Sequence, residues 1–72
     1  MSDRDVKESG TCVCNIAPMG EHGMEGYIEK QEYKYEYVEM AESGRKYYRV
    51  FHDENYYECC GVNTFKKYFK VK

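Results

Sequence analysis

Between Glu32 and Tyr37 the chain alternates charged and aromatic residues: Glu32-Tyr33-Lys34-Tyr35-Glu36-Tyr37. A period of two is the signature of a strand with one buried face. A second run, Lys46-Tyr47-Tyr48-Arg49-Val50-Phe51-His52, follows Ser43-Gly44. Glycine at the second position of a two-residue loop suits a tight hairpin turn. With that loop, Glu42 lies opposite Arg45 and Lys34 opposite Asp53, so opposite charges meet at both ends of the pairing. Tyr37 then faces Val50, and Tyr35 faces His52. A second turn at Glu54-Asn55 returns the chain through Tyr56 to Cys60, with Tyr57 against His52 and Cys59 against Val50. A three-residue turn, Asp53 to Asn55, would slip this register by one and move Cys59 to the other face.

The first register sorts the sheet into two faces. One carries Tyr33, Tyr35, Tyr37, Tyr48, Val50, His52, Tyr57 and Cys59 and is the core by composition. The other is mixed: Val38, Met40, Tyr47, Phe51 and Cys60 stand among Lys34, Glu36, Arg49, Asp53 and Glu58. The apolar phase changes between Tyr37 and Val38, which calls for a bulge or for burial on both faces near the hairpin tip. Upstream, Thr11-Cys12-Val13-Cys14-Asn15-Ile16 alternates weakly and predicts a strand with Cys12, Cys14 and Ile16 inward, ended by Pro18. Residues 18–26 hold three of the six glycines and read as a loop. Downstream, Phe65, Tyr68 and Phe69 have the spacing of one helical face, with Asn63 or Thr64 as cap. The expected fold is therefore α+β, mainly β. It has a three-stranded antiparallel meander over residues 27–60, an extra N-terminal strand over 11–16, and a short C-terminal helix on the tyrosine face. The alternative is all-β with a C-terminal strand.

Length and composition narrow this further. Seventy-two residues make a single domain over 1–72, with the polar residues 1–9 expected to be a disordered terminus. Leucine and tryptophan are absent, which argues against a helical bundle. Eight of the nine tyrosines fall between Tyr27 and Cys60. The formal net charge of -2 supports neither bulk steering of nucleic acid nor acidic mimicry of it. No apolar run has membrane-spanning length, and the charged start Met1-Ser2-Asp3-Arg4-Asp5 lacks a signal-peptide core. A cytoplasmic protein with reduced thiols is the expectation. In composition the chain looks like small bacteriophage accessory proteins that bind and modulate host factors, which implies a protein partner.

Four chemistries deserve weighing. Cys12, Cys14 and Cys59 with His52 form a legitimate tetrahedral zinc set, but Cys-x-Cys with Cys-Cys lacks the usual two-to-four-residue ligand spacing. Buried thiols that act as small hydrophobes are the simpler reading. A nucleophilic pair of Cys59 with His52 would lie beneath tyrosines without substrate access, so no enzyme activity is expected. His52 reads better as a structural histidine bonded to a tyrosine hydroxyl, and His22 as a solvent-exposed loop residue. Tyr47, Arg49, Phe51 and Lys34, with Lys66, Lys67, Lys70 and Lys72 beyond, suggest a stacking platform for single-stranded nucleic acid. Glu36, Asp53 and Glu58 on the same face oppose it. Finally, Val38, Met40, Tyr47, Arg49, Phe51 and Tyr56 make an interface-like patch, being rich in residue types enriched at protein contacts. The competing reading folds the N-terminal segment over that patch as a second core. The chain is thus expected to be a non-enzymatic binding module that uses this aromatic face on a protein partner or as a homodimer. A single-stranded nucleic-acid binder is the alternative, and a small zinc-stabilised domain the second alternative; no other cofactor is implied.

Overall fold

A computed structural model of the chain describes residues 4–20 and 24–72. Strand β1 runs Arg4–Cys14, β2 Glu32–Met40, β3 Lys46–Phe51 and β4 Tyr57–Gly61. Helix α1 spans Val62–Tyr68 and leads directly into β5, Phe69–Val71. The five strands form one antiparallel sheet in the order β4-β3-β2-β1-β5. The expected meander forms one side of it, with β4 at the edge, and β1 and β5 are added beyond β2. Residues 4–9, expected to be disordered, are the first half of β1, because each pairs with or lies beside the far half of β2. Both readings of the C-terminus hold in part: Phe65 and Tyr68 lie on a helix, and Phe69 opens a strand. The helix is capped at Gly61 with no side-chain bond, so neither Asn63 nor Thr64 is the cap.

The first hairpin differs from expectation by two residues. Its loop is Ala41 to Gly44, closed by Gly44 N–H to the Met40 carbonyl and Met40 N–H to the Arg45 carbonyl, each 2.8 Å. Gly44 takes a left-handed φ of +71°, which a four-residue loop needs at its end. Tyr37 therefore faces Tyr48, and Tyr35 faces Val50. A shift of two preserves the faces. The second hairpin takes the three-residue turn. Asp53 Oδ1 accepts hydrogen bonds from the N–H of Asn55 (2.8 Å) and of Tyr56 (2.9 Å), and His52 N–H reaches the Tyr56 carbonyl at 2.8 Å. An aspartate that captures two backbone donors decides the turn. The one-residue slip exchanges the faces of β4: Cys60 and Glu58 join the tyrosine face, and Tyr57 and Cys59 leave it.

Strand β1 carries a bulge between Val6 and Glu8. Glu8 lies opposite Tyr37 on the tyrosine face, whereas Val6 lies opposite Val38 on the other. The phase change at Val38 is thus burial on both faces of β2, with the bulge in its neighbour. Gly10 sits opposite Tyr35, and a Cβ there would lie 3.4 Å from the Tyr35 ring. The ring lies along the bare backbone and its hydroxyl donates to Glu8 Oε2 at 2.5 Å.

Helix α1 closes the structure. At ordinary strand spacing and rise, Gly61 and Phe69 would stand about 30 Å apart at opposite corners of a flat sheet. The helix between them covers only about 12 Å. The sheet is therefore curled into a half-barrel around α1. Phe65 stacks flat on Tyr48 (3.8 Å, 4°) and tilts against Tyr35 at 5.5 Å. Cys12, Cys14, Met24, Tyr27, Val50, Cys60, Tyr68 and Phe69 complete the core. The Tyr27 hydroxyl donates to the Val50 carbonyl at 2.7 Å, which pins residues 24–31 against the inner face of the half-barrel. Ile16, expected inward, is 48% exposed, since β1 ends at Cys14.

Phe65 is 2% exposed and touches three aromatic rings. Phe65→Ala should lower unfolding free energy by about 3–5 kcal/mol through lost transfer energy and a residual cavity. Urea denaturation followed by far-UV circular dichroism measures it.

Candidate functional site

The face of the sheet away from α1 has no described element packed across it. Strand alternation and register arrange it in rows. Val6, Val38, Tyr47 and Gly61 form one; Ser9, Glu36, Arg49 and Cys59 the next; Thr11, Lys34, Phe51 and Tyr57 the third. Residues 4–14 do not fold over this face; as β1 they extend the sheet sideways. Five of the six residues expected in the binding patch come together here: Val38, Met40, Tyr47, Arg49 and Phe51. Tyr56 does not. It stacks on His52 on the covered side (4.9 Å, 14°). Tyr57 takes its place, 5.0 Å from the Phe51 ring. The signal for Tyr57 was present in Asp53-Glu54-Asn55, because aspartate at the first position of a turn binds the backbone ahead of it.

Arg49 organises the patch. Its Nη1 donates to Glu36 Oε1 at 3.1 Å. Its guanidinium lies 5.1 Å from the Tyr57 ring centre and 5.9 Å from that of Tyr47. Burial works against its charge, but hydrogen bonds with Tyr47 and Glu36 outweigh this, so its pKa is raised above the ordinary value. Arg49 Nε is the only buried side-chain polar atom among the described residues without a hydrogen-bond partner. Val38, fully buried, lies between Val6 and Tyr47 in the neighbouring row.

Two grooves flank this cluster. One, of about 950 Å³, lies toward the Asp53 turn and is lined by Glu32, Glu36, Asp53 and Glu54 with Lys34, Phe51 and His52. The other, of about 660 Å³, lies toward the first hairpin and is lined by Met40, Arg45, Lys46, Tyr47, Tyr57 and Gly61, with the two adjacent cysteines. Among the described residues, no carboxylate lines the second groove.

The zinc candidates separate. Cys12 and Cys14 are buried on the tyrosine face, with His52 at its end, and Cys59 is exposed on the opposite face, so the four do not converge. The same slip parts Cys59 from His52 as a nucleophilic pair. His52 bonds a carboxylate rather than a tyrosine: its Nε2 lies 3.1 Å from Glu58 Oε1, and its ring is sandwiched between Tyr27 (4.1 Å, 20°) and Tyr56. His22 lies outside the described residues. No helix of the described residues is long and apolar enough to cross a membrane.

Burial, reinforced by neighbouring thiols, pushes Cys12 and Cys60 up to about 12 from 9.0. Cys14 is also raised, by burial and then by Glu29. Burial and the bond to Glu8 take Tyr35 to about 12. Below pH 9 these thiols are neutral folded and unfolded alike. Above it the unfolded chain ionises first, so stability should fall as pH rises from 9 toward 12. Thermal melts across that window measure the decline. At pH 8, Ellman's reagent should modify Cys59 in the native protein and the three buried thiols only after unfolding. Comparison with protein-family models, curated proteins and solved structures finds no match, so the assignment of function rests on the open face itself.

Proposed function

We propose that the protein is a small non-enzymatic binding module that grips a protein partner with the open aromatic face. The observation that carries this reading is one-sidedness. The sheet buries its tyrosine face under α1 and residues 24–31, while Tyr47, Arg49, Phe51 and Tyr57 gather on a face that nothing described covers. Tyrosine and arginine are the residue types that carry the most binding energy in protein contacts. Here Arg49 already holds two of the rings, so little side-chain freedom is left to lose on binding. His52 and Glu58 pair on the covered side of the sheet.

A second reading, single-stranded nucleic acid, gains one point. Glu58, expected on this face, has left it. Glu32, Glu36, Asp53 and Glu54 still line the larger groove and repel a phosphate backbone, so the protein reading is preferred.

The test compares wild type with the double variant Phe51→Ala, Tyr57→Ala, first checked for an unchanged fold by circular dichroism. Used as bait in a cell lysate, wild type should retain specific proteins that the variant loses. Equal retention by both refutes the placement. Native mass spectrometry of the purified chain distinguishes a homodimer, in which a second copy would occupy the same face. A salt-sensitive shift with oligo-dT and no protein retained would move the function to nucleic acid.

A further inference from the structure

We infer that the groove at the first-hairpin end of the open face receives a short acidic segment of the partner that bears an aromatic or aliphatic side chain. This deepens the protein-binding reading and rests on it. Charge is the first argument. The chain has 13 acidic residues against 11 basic ones, yet Arg45 and Lys46 line this groove and no carboxylate of the described residues does, the nearest in the register being Glu39 opposite Lys46. The acids of the face are gathered at its other end. Such segregation favours a negatively charged ligand at one end only.

Shape is the second argument. Gly61 lies opposite Tyr47 and forms the floor. A Cβ at this position would meet nothing within 4 Å. Its backbone, φ -69° and ψ 166°, is one that any residue adopts, so the chain does not need glycine here for its conformation. The space above it is walled by Tyr47, Tyr57 and Met40 and is large enough for one or two side chains. The two tyrosines are held by Arg49, whose own charge is satisfied by Glu36. The walls are aromatic and preorganised, and Arg45 and Lys46 stand at the rim.

Length selects a peptide over a nucleic acid. A single strand longer than the groove would leave Arg45 and Lys46 and run along the sheet into Glu36, Asp53 and Glu54. An acidic segment of a few residues ends before it meets them.

The experiment is an amide NMR titration of the full chain with the acetylated hexapeptide Glu-Phe-Glu-Tyr-Glu-Phe. Controls are the same peptide with glutamine for glutamate, and oligo-dT. The acidic peptide should shift Met40, Arg45, Tyr47, Tyr57 and Gly61, and the glutamine peptide should bind more weakly. Gly61→Ala puts a Cβ on the floor with no atom within 4 Å of it, and Arg45→Glu reverses the rim; each should weaken binding roughly tenfold, the loss of one good contact. Unchanged binding by both variants, or equal binding of the glutamine peptide, overturns the groove assignment. Shifts confined to Lys34, Phe51 and Asp53 also overturn it, while leaving the open-face reading intact. Shifts confined to the α1 side overturn both. Binding of oligo-dT at these same residues in place of the peptide overturns the partner class.

Discussion

The structure depends on one short helix that joins opposite corners of a five-stranded sheet. Seven residues cannot span the flat distance, so the sheet must curl until Gly61 and Phe69 come within reach of α1. The stack of Phe65 on Tyr48 is where that constraint meets the core. Curling lets a chain without leucine close an interior. The space is filled by broad aromatic rings in edge and stacked contacts, with cysteines and one methionine between them. Each ring contributes large buried area with few rotamers to lose.

The same curl makes the sheet one-sided. Of the described residues, those that cover it, α1 and residues 24–31, lie inside the bend. The outer face must hold together without a second layer. It does so by rows: Val38 is shielded by Val6 and Tyr47, and Arg49 ties Glu36 to two tyrosine rings. A fully apolar outer face would invite aggregation, and a fully charged one would bind nothing specifically. This face is neither, and its charges are sorted along its length. The exposed part of β1 is guarded differently, by a bulge at Lys7 flanked by Asp5 and Glu8, a common defence of a sheet edge.

The covered side spends its polar groups on positioning. Glu58 accepts the Glu25 N–H at 3.1 Å and pairs with His52, and Tyr27 lies flat on the His52 ring. Gly26, at φ +81°, passes so close to His52 that a Cβ would lie 3.2 Å from its ring. These contacts hold the long connection between β1 and β2 against the barrel. They explain why the histidine, attractive as a ligand or a base when read beside Cys59, serves as a packing residue.

Much of this was legible in the residues alone. Alternation fixed which side chains of β2 and β3 share a face, and an even register error at Ser43-Gly44 left those faces unchanged. The helical spacing of Phe65 and Tyr68, the inward Cys12 and Cys14, and the mixed character of the Val38-Tyr47-Phe51 face also follow from local pattern. Period and composition are properties of neighbouring residues, so sequence carries them. What alternation left open was a single residue of slip at one turn, and what tertiary structure decided was the pairing of distant chain. Asp53, by capturing two backbone donors, exchanged Cys59 for Cys60 and Tyr56 for Tyr57, and with them the zinc set and one wall of the groove. The pairing of Arg4 to Ser9 with β2, and of Phe69 to Val71 with β1, joins segments separated by some 30 to 60 residues of chain and is set by the curl. An odd slip leaves no periodic trace because it hangs on the chemistry of one turn, and a long-range closure leaves none because its energy resides in contacts that exist only once the chain has folded.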